Sequence, residues 1–243
     1  MDLRTRLDPD TRGGLRLTVA ALAALLLAVP FTLLLLAVVD KVGVVQRADL
    51  HLELSLNQYA YRHATWVSLL KAVSLVLGPG SFEVLGVLVA VRLLMTRRPR
   101  LAAWLIVTVL GGGLLSTLVK VAVDRHRPLP PHPVAHAASA SFPSGHALGA
   151  VVGVGALLLV ALPAVRAALR PLLIALGVVI VLLVGFSRLG LGVHYLSDVI
   201  GGYVLGLGWL AATTAAFAAW RRDRGEPGRD VADGLQPAAP ERT

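Results

Sequence analysis

The chain has 243 residues, of which 56% are hydrophobic and only 15% charged, and it carries a net charge of +9. That is too little charge to cover the surface of a water-soluble domain of this length, so a soluble globular protein is excluded. The absence of cysteine excludes disulfides, thiolate metal sites and a cysteine nucleophile, and loop orientation in a membrane explains the positive charge more economically than nucleic acid does.

The apolar residues come in blocks. Residues 17–39 form 23 positions without a charge, enough to cross ~30 Å of hydrocarbon at about 1.5 Å per residue. Further blocks follow it, so a cleaved leader does not account for the pattern. The blocks predict an all-α membrane bundle with six spans at 16–39, 81–96, 101–122, 144–165, 170–187 and 195–220. Between the first two spans, Arg47, Asp49, His51, Glu53, Arg62, His63 and Lys71 are scattered among apolar residues. That mixture predicts an interfacial amphipathic helix over 47–77, ended by Gly78-Pro79-Gly80. The membrane domain is expected over 1–220. The remainder, 221–243, is rich in Pro, Gly, Asp and Arg and is expected to be a disordered cytoplasmic tail.

Charge orients the spans. With both termini in the cytoplasm, 15 of the 23 basic residues fall inside and 8 outside, as the positive-inside rule requires. Three polar clusters then lie at span ends on the outer face.

The first cluster is Lys120 at the end of the third span, followed by Asp124-Arg125-His126-Arg127-Pro128. Lys120 and Arg127 are seven apart and would share a helical face two turns apart. The second is Phe142-Pro143-Ser144-Gly145-His146, where a helix N-terminus would offer free backbone N–H groups to an anion. The third is Ser187-Arg188, then His194 and Asp198 at i and i+4, where a carboxylate can fix the tautomer of an imidazole. Arg188 adds a planar cation whose donors match phosphate oxygens.

Taken singly, each cluster has a plainer explanation: a snorkelling Lys, a Ser-capped helix start, a structural ion pair. Together they supply three cations, two histidines and an aspartate at one membrane face. That inventory suits a dianionic, tetrahedral group needing a nucleophile and a proton donor. The other histidines lack a carboxylate at i+4. His132 and His136 sit in a Pro/Ala-rich loop with no acidic ligand nearby, which argues against a metal site.

In order and spacing, the clusters resemble the tripartite signature of the type-2 phosphatidic acid phosphatase family. That pattern is a Lys, six residues, Arg-Pro; then Pro-Ser-Gly-His; then Ser-Arg, five residues, His, three residues, Asp. Its counterparts here are Lys120 with Arg127-Pro128, Pro143 to His146, and Ser187-Arg188 with His194 and Asp198. The resemblance implies a lipid phosphatase working without metal or other cofactor. His194 would attack phosphorus, held by Asp198, and His146 would protonate the leaving oxygen and then activate water. Lys120, Arg127, Ser144, Gly145 and Arg188 would bind the phosphoryl group.

Two rivals use a similar pocket. A vanadium haloperoxidase of the same wider family would be soluble, which the spans oppose. A lipid phosphotransferase would differ only in its acceptor. A channel or transporter would carry charges along the middles of its spans, whereas these sit at span ends. Phosphatidic acid, phosphatidylglycerol phosphate and undecaprenyl diphosphate all fit as substrates. The Ala/Arg/Leu-rich usage points toward a bacterial cell-envelope lipid.

Overall fold

The chain forms a helical bundle, seen in a computed structural model that describes residues 26–222. Its helices are α1 (Leu26–Val39), α2 (Gly43–Arg62), α3 (Ala64–Val76), α4 (Pro79–Met95), α5 (Pro99–Val123), α6 (Gly145–Ala161), α7 (Arg170–Gly190) and α8 (Leu196–Arg222). Five stretches are long and apolar enough to cross a membrane, or six if α1 and α2 are counted as one broken span. The expected all-helical membrane bundle is therefore present. The first ten residues of the expected first span and positions 223–243 of the expected tail lie outside the described residues.

The second span departs from expectation. The surface helix is only Gly43–Arg62, bent 82° from α1. Residues 64–76 do not belong to it. They run on through the Gly78-Pro79 break into α4, giving a single stretch, Ala64–Met95, of 32 residues. The break is local because Pro79 takes a first-turn position of α4, where its missing N–H costs nothing. Lys71, expected on the interfacial helix, is exposed on this span, where its long stem can carry the ammonium outward.

Helix α2 is amphipathic in an unexpected sense. Its buried positions are Asp49, Glu53, Asn57 and Ala60, a mostly polar stripe at helical spacing. Val44, Leu50, Leu54 and Tyr61 are exposed. The polar stripe thus faces the protein, and the outward face mixes those apolar residues with Arg47, His51, Ser55, Gln58 and Arg62, as suits a helix at a membrane interface.

Helix α6 is the hub, packed against α4, α5, α7 and α8. A core of Leu93, Leu101, Trp104, Leu105, Val160 and Phe217 closes one end of the bundle. The other end carries the polar clusters. Small residues let the backbones approach: a Cβ built on Gly202 of α8 would sit 2.6 Å from the Ser144 carbonyl and 2.9 Å from the Ala147 Cβ. Backbone cannot yield as a flexible side chain can. Gly202→Val should therefore cost about 3 kcal/mol by overpacking, read as a lower melting temperature of the purified protein in detergent.

Candidate active site

Four helix ends and two loops meet at the polar end. Helix α5 ends with Asp124 in the left-handed conformation (φ 44°), its N–H bonded to the Lys120 carbonyl at 2.9 Å. Arg127 is consequently not on a helix with Lys120, as the seven-residue spacing suggested. The chain folds back after Asp124 and brings the two cations together another way. Lys120 Nζ donates to the Ala140 carbonyl at 2.7 Å, and Arg127 Nη2 reaches the same oxygen at 3.4 Å. Arg127 also donates through Nε to the Ser139 carbonyl (2.6 Å) and through Nη1 to the Val193 carbonyl (2.6 Å).

His194 also lies off the helix. Helix α8 begins at Leu196, and Asp198 in its first turn accepts the Tyr195 N–H at 2.9 Å. The same oxygen, Oδ2, lies 3.3 Å from His194 Nδ1. The pair forms as the i, i+4 spacing predicts, but through a helix start that folds back on its carboxylate. Both residues are buried, His194 at 3% exposure and Asp198 at 0%. A carboxylate accepts only, so Nδ1 carries the proton and Nε2 the lone pair. Nε2 faces Arg127 Nη1 at 3.1 Å. Burial pushes the imidazole down to about 4; Asp198 pulls it up, and Arg127 and Arg188 push it down again. At neutral pH the ring is therefore neutral, with its basic nitrogen turned toward the cations.

The remaining expected residues lie at the same end of the bundle. Ser144 is the N-cap of α6, with its Oγ accepting the Ala147 N–H at 3.5 Å, which leaves the hydroxyl proton available. Its own N–H is bonded to the Asp198 carbonyl at 2.9 Å, tying α6 to α8. Gly145 begins α6, and a Cβ there would lie 3.4 Å from Ser116 Oγ and 3.9 Å from Lys120 Cε. Without that Cβ, the helix N-terminus opens toward Lys120. Arg188 is buried at the end of α7; its Nη1 donates to Ser74 Oγ, while its Nε is buried with no partner. A buried guanidinium N–H without an acceptor is expensive, and a phosphate oxygen is the acceptor it suits best. The His146 ring pairs with the Ser74 backbone carbonyl beside the α3–α4 break.

Sequence reasoning missed four residues here. Ser74 holds Arg188 and His146. Asp49, Arg125 and Ser197 form a network behind Asp198. Arg125 was visible as a cation inside the first cluster, but nothing in its spacing set it apart from His126. The buried stripe of α2 at 49, 53, 57 and 60 was the available signal for Asp49. Among the described residues no group of His, Asp and Glu is arranged to hold a metal ion. His132 instead stacks on Tyr61, with ring centroids 4.0 Å apart.

Parts of this chain are similar to known proteins. Phosphatidylglycerophosphatase B of Bacillus subtilis is 44% identical over 97 residues, covering 39% of this chain and 47% of that protein. A lipid A 1-phosphatase of Rhizobium etli is 38% identical over 126 residues, covering 47% of this chain and 49% of that protein. The chain thus spans about half the length of the curated relatives it matches. A crystal structure described as the first transmembrane PAP2 type phosphatidylglycerolphosphate phosphatase, from Bacillus subtilis, superposes with a TM-score of 0.67. It is 25% identical, and the match covers 79% of this chain and 94% of that one. The model of the PAP2 superfamily matches residues 101–222, half of the chain and every one of the three clusters, and the protein belongs to that superfamily.

Proposed function

We propose that the protein is an integral membrane lipid phosphatase that transfers phosphate from a lipid to His194 and then to water. The observation that carries this reading is the buried His194 Nε2. It is kept unprotonated by burial, oriented by Asp198, and faces the guanidinium of Arg127. In the first step its lone pair forms a bond to phosphorus as the bond to the lipid oxygen breaks, and His146 gives that oxygen a proton. In the second, His146 takes a proton from water, the water oxygen bonds to phosphorus, and the N–P bond breaks. Lys120, Arg127, Arg188, Ser144 and the Gly145 N–H stabilise the charge on the three non-bridging oxygens in both steps. Three cations supply the charge that a metal supplies elsewhere.

The names of the relatives support a lipid phosphate as substrate. Purified protein in detergent should release inorganic phosphate from at least one of phosphatidylglycerol phosphate, phosphatidic acid, undecaprenyl diphosphate and lipid A 1-phosphate. EDTA should not reduce the rate, and vanadate, which can take the geometry of the transition state, should inhibit. A panel with no release, or a rate lost to EDTA and restored by Mg²⁺, contradicts the reading.

The site belongs on the extracytoplasmic face by the distribution of basic residues, with both termini in the cytoplasm. The lipid head group would then enter at the interface with its tails still in the bilayer. Cysteine placed at Ala135 should react with an impermeant maleimide in intact cells, and cysteine at Gly225 should not. The reverse pattern would put the chemistry in the cytoplasm.

A further inference from the structure

The surface helix α2 reaches the nucleophile through two side chains that the mechanism above does not use. Asp198 has two carboxylate oxygens. Oδ2 takes the His194 ring and the Tyr195 N–H, while Oδ1 accepts from Arg125 Nη1 at 2.5 Å. The other terminal nitrogen of Arg125, Nη2, donates to Asp49 Oδ2 at 2.8 Å. Asp49 is itself locked to the start of α8, accepting the Ser197 N–H at 2.9 Å and the Ser197 hydroxyl at 2.6 Å. The guanidinium lies over the Tyr195 ring, 4.4 Å from its centroid. Asp49 is 2% exposed and Asp198 0%. Two buried carboxylates about a hundred and fifty positions apart therefore share one fork-shaped cation, a geometry that Arg can span and Lys cannot.

We propose that Asp49 and Arg125 are positioning residues for the nucleophile: Asp49, presented by α2, fixes Arg125, and Arg125 fixes the plane of the Asp198 carboxylate and so the direction of the His194 lone pair. A carboxylate bound through Oδ2 alone could rotate about its Cβ–Cγ bond and swing the imidazole with it. Held through both oxygens, it cannot. Arg125 also neutralises part of the charge that Asp198 presents to the ring. The other groups acting on the ring's protonation are Arg127 and Arg188, which oppose it; His146 is a further ionisable neighbour.

The inference rests on His194 being the nucleophile. The test compares full-length wild type with Asp49→Asn, Arg125→Lys, Arg125→Gln and His194→Ala, using phosphate release from a phosphatidic acid or phosphatidylglycerol phosphate micelle. Asp49→Asn should lower kcat by about tenfold or more, since small misplacements at a reacting centre have large effects, with KM within about twofold. Arg125→Lys should retain more activity than Arg125→Gln. In Arg125→Gln the ring feels the whole charge of Asp198, so the acid limb of kcat/KM should move to higher pH. In Asp49→Asn, where Arg125 keeps its charge, it should not rise. If Arg125→Gln does not fold, the kcat and KM of Asp49→Asn decide alone. Normal kcat in Asp49→Asn, or a loss confined to thermal stability with kcat and the pH profile unchanged, overturns the proposal. Failure of the underlying reading looks different: wild type then releases no phosphate, or His194→Ala matches it.

Discussion

Replacing His194 with alanine should reduce phosphate release from every substrate by about 10⁴-fold or more, the scale seen when a covalent nucleophile is removed. The groups bonded to the His194 ring are not free to take over. Asp198 is spent on Nδ1, Tyr195 N–H and Arg125. Lys120 and Arg127 are engaged as donors at the Ala140 carbonyl. The purified variant should still be folded, because the ring's bond to Asp198 is only one of several that hold the start of α8. Retention of more than about one per cent of wild-type kcat would put the nucleophile elsewhere.

His146→Ala should show a split that depends on the leaving group. With a lipid phosphate the departing alkoxide needs a proton, and loss of the general acid should slow the reaction by about 10²–10⁴-fold. With an activated aryl phosphate the leaving group departs unprotonated, so the first step should survive. The second step still needs a base for water, so steady turnover should fall while an initial burst of aryl alcohol remains. The His146 ring is anchored on the Ser74 carbonyl, and the same residue holds Arg188 through its hydroxyl. Equal losses on both substrates, with no burst, would remove the acid–base role.

The candidate site was legible in the sequence because the residue types that phosphate handling would demand cluster at helix ends. Lys120, Arg127, Ser144, Gly145, His146, Arg188, His194 and Asp198 could be named from three clusters and the family resemblance they carry, and the structure gathers them at one end of the bundle. What spacing could not give was local path. The seven residues from Lys120 to Arg127 fit two helical turns, yet Asp124 turns left-handed and the cations meet through the Ala140 carbonyl. The i, i+4 relation of His194 and Asp198 held although His194 precedes its helix.

The role of α2 was hidden for a different reason. Polar residues on a surface helix are ordinarily assigned to water, and periodicity reports a stripe without saying which way it faces. Here the buried stripe is the polar one, so Asp49, Glu53 and Asn57 point inward. The boundary of the second span was obscured by Lys71 and by the Gly78-Pro79 pair, which look like an end but interrupt a continuing helix.

The covalent step is the centre of the account, and it can be caught directly. His146→Ala given an aryl phosphate should form the phosphoenzyme normally and hydrolyse it slowly, so the intermediate should accumulate. Rapid quenching into alkali, with radiolabelled phosphate and peptide mapping, should find label on His194, stable to base and lost in acid as a phosphoramidate is. The double variant with His194→Ala should carry none. Label that persists in the double variant, or an unlabelled His146→Ala enzyme that still turns over, would contradict a phosphohistidine at His194.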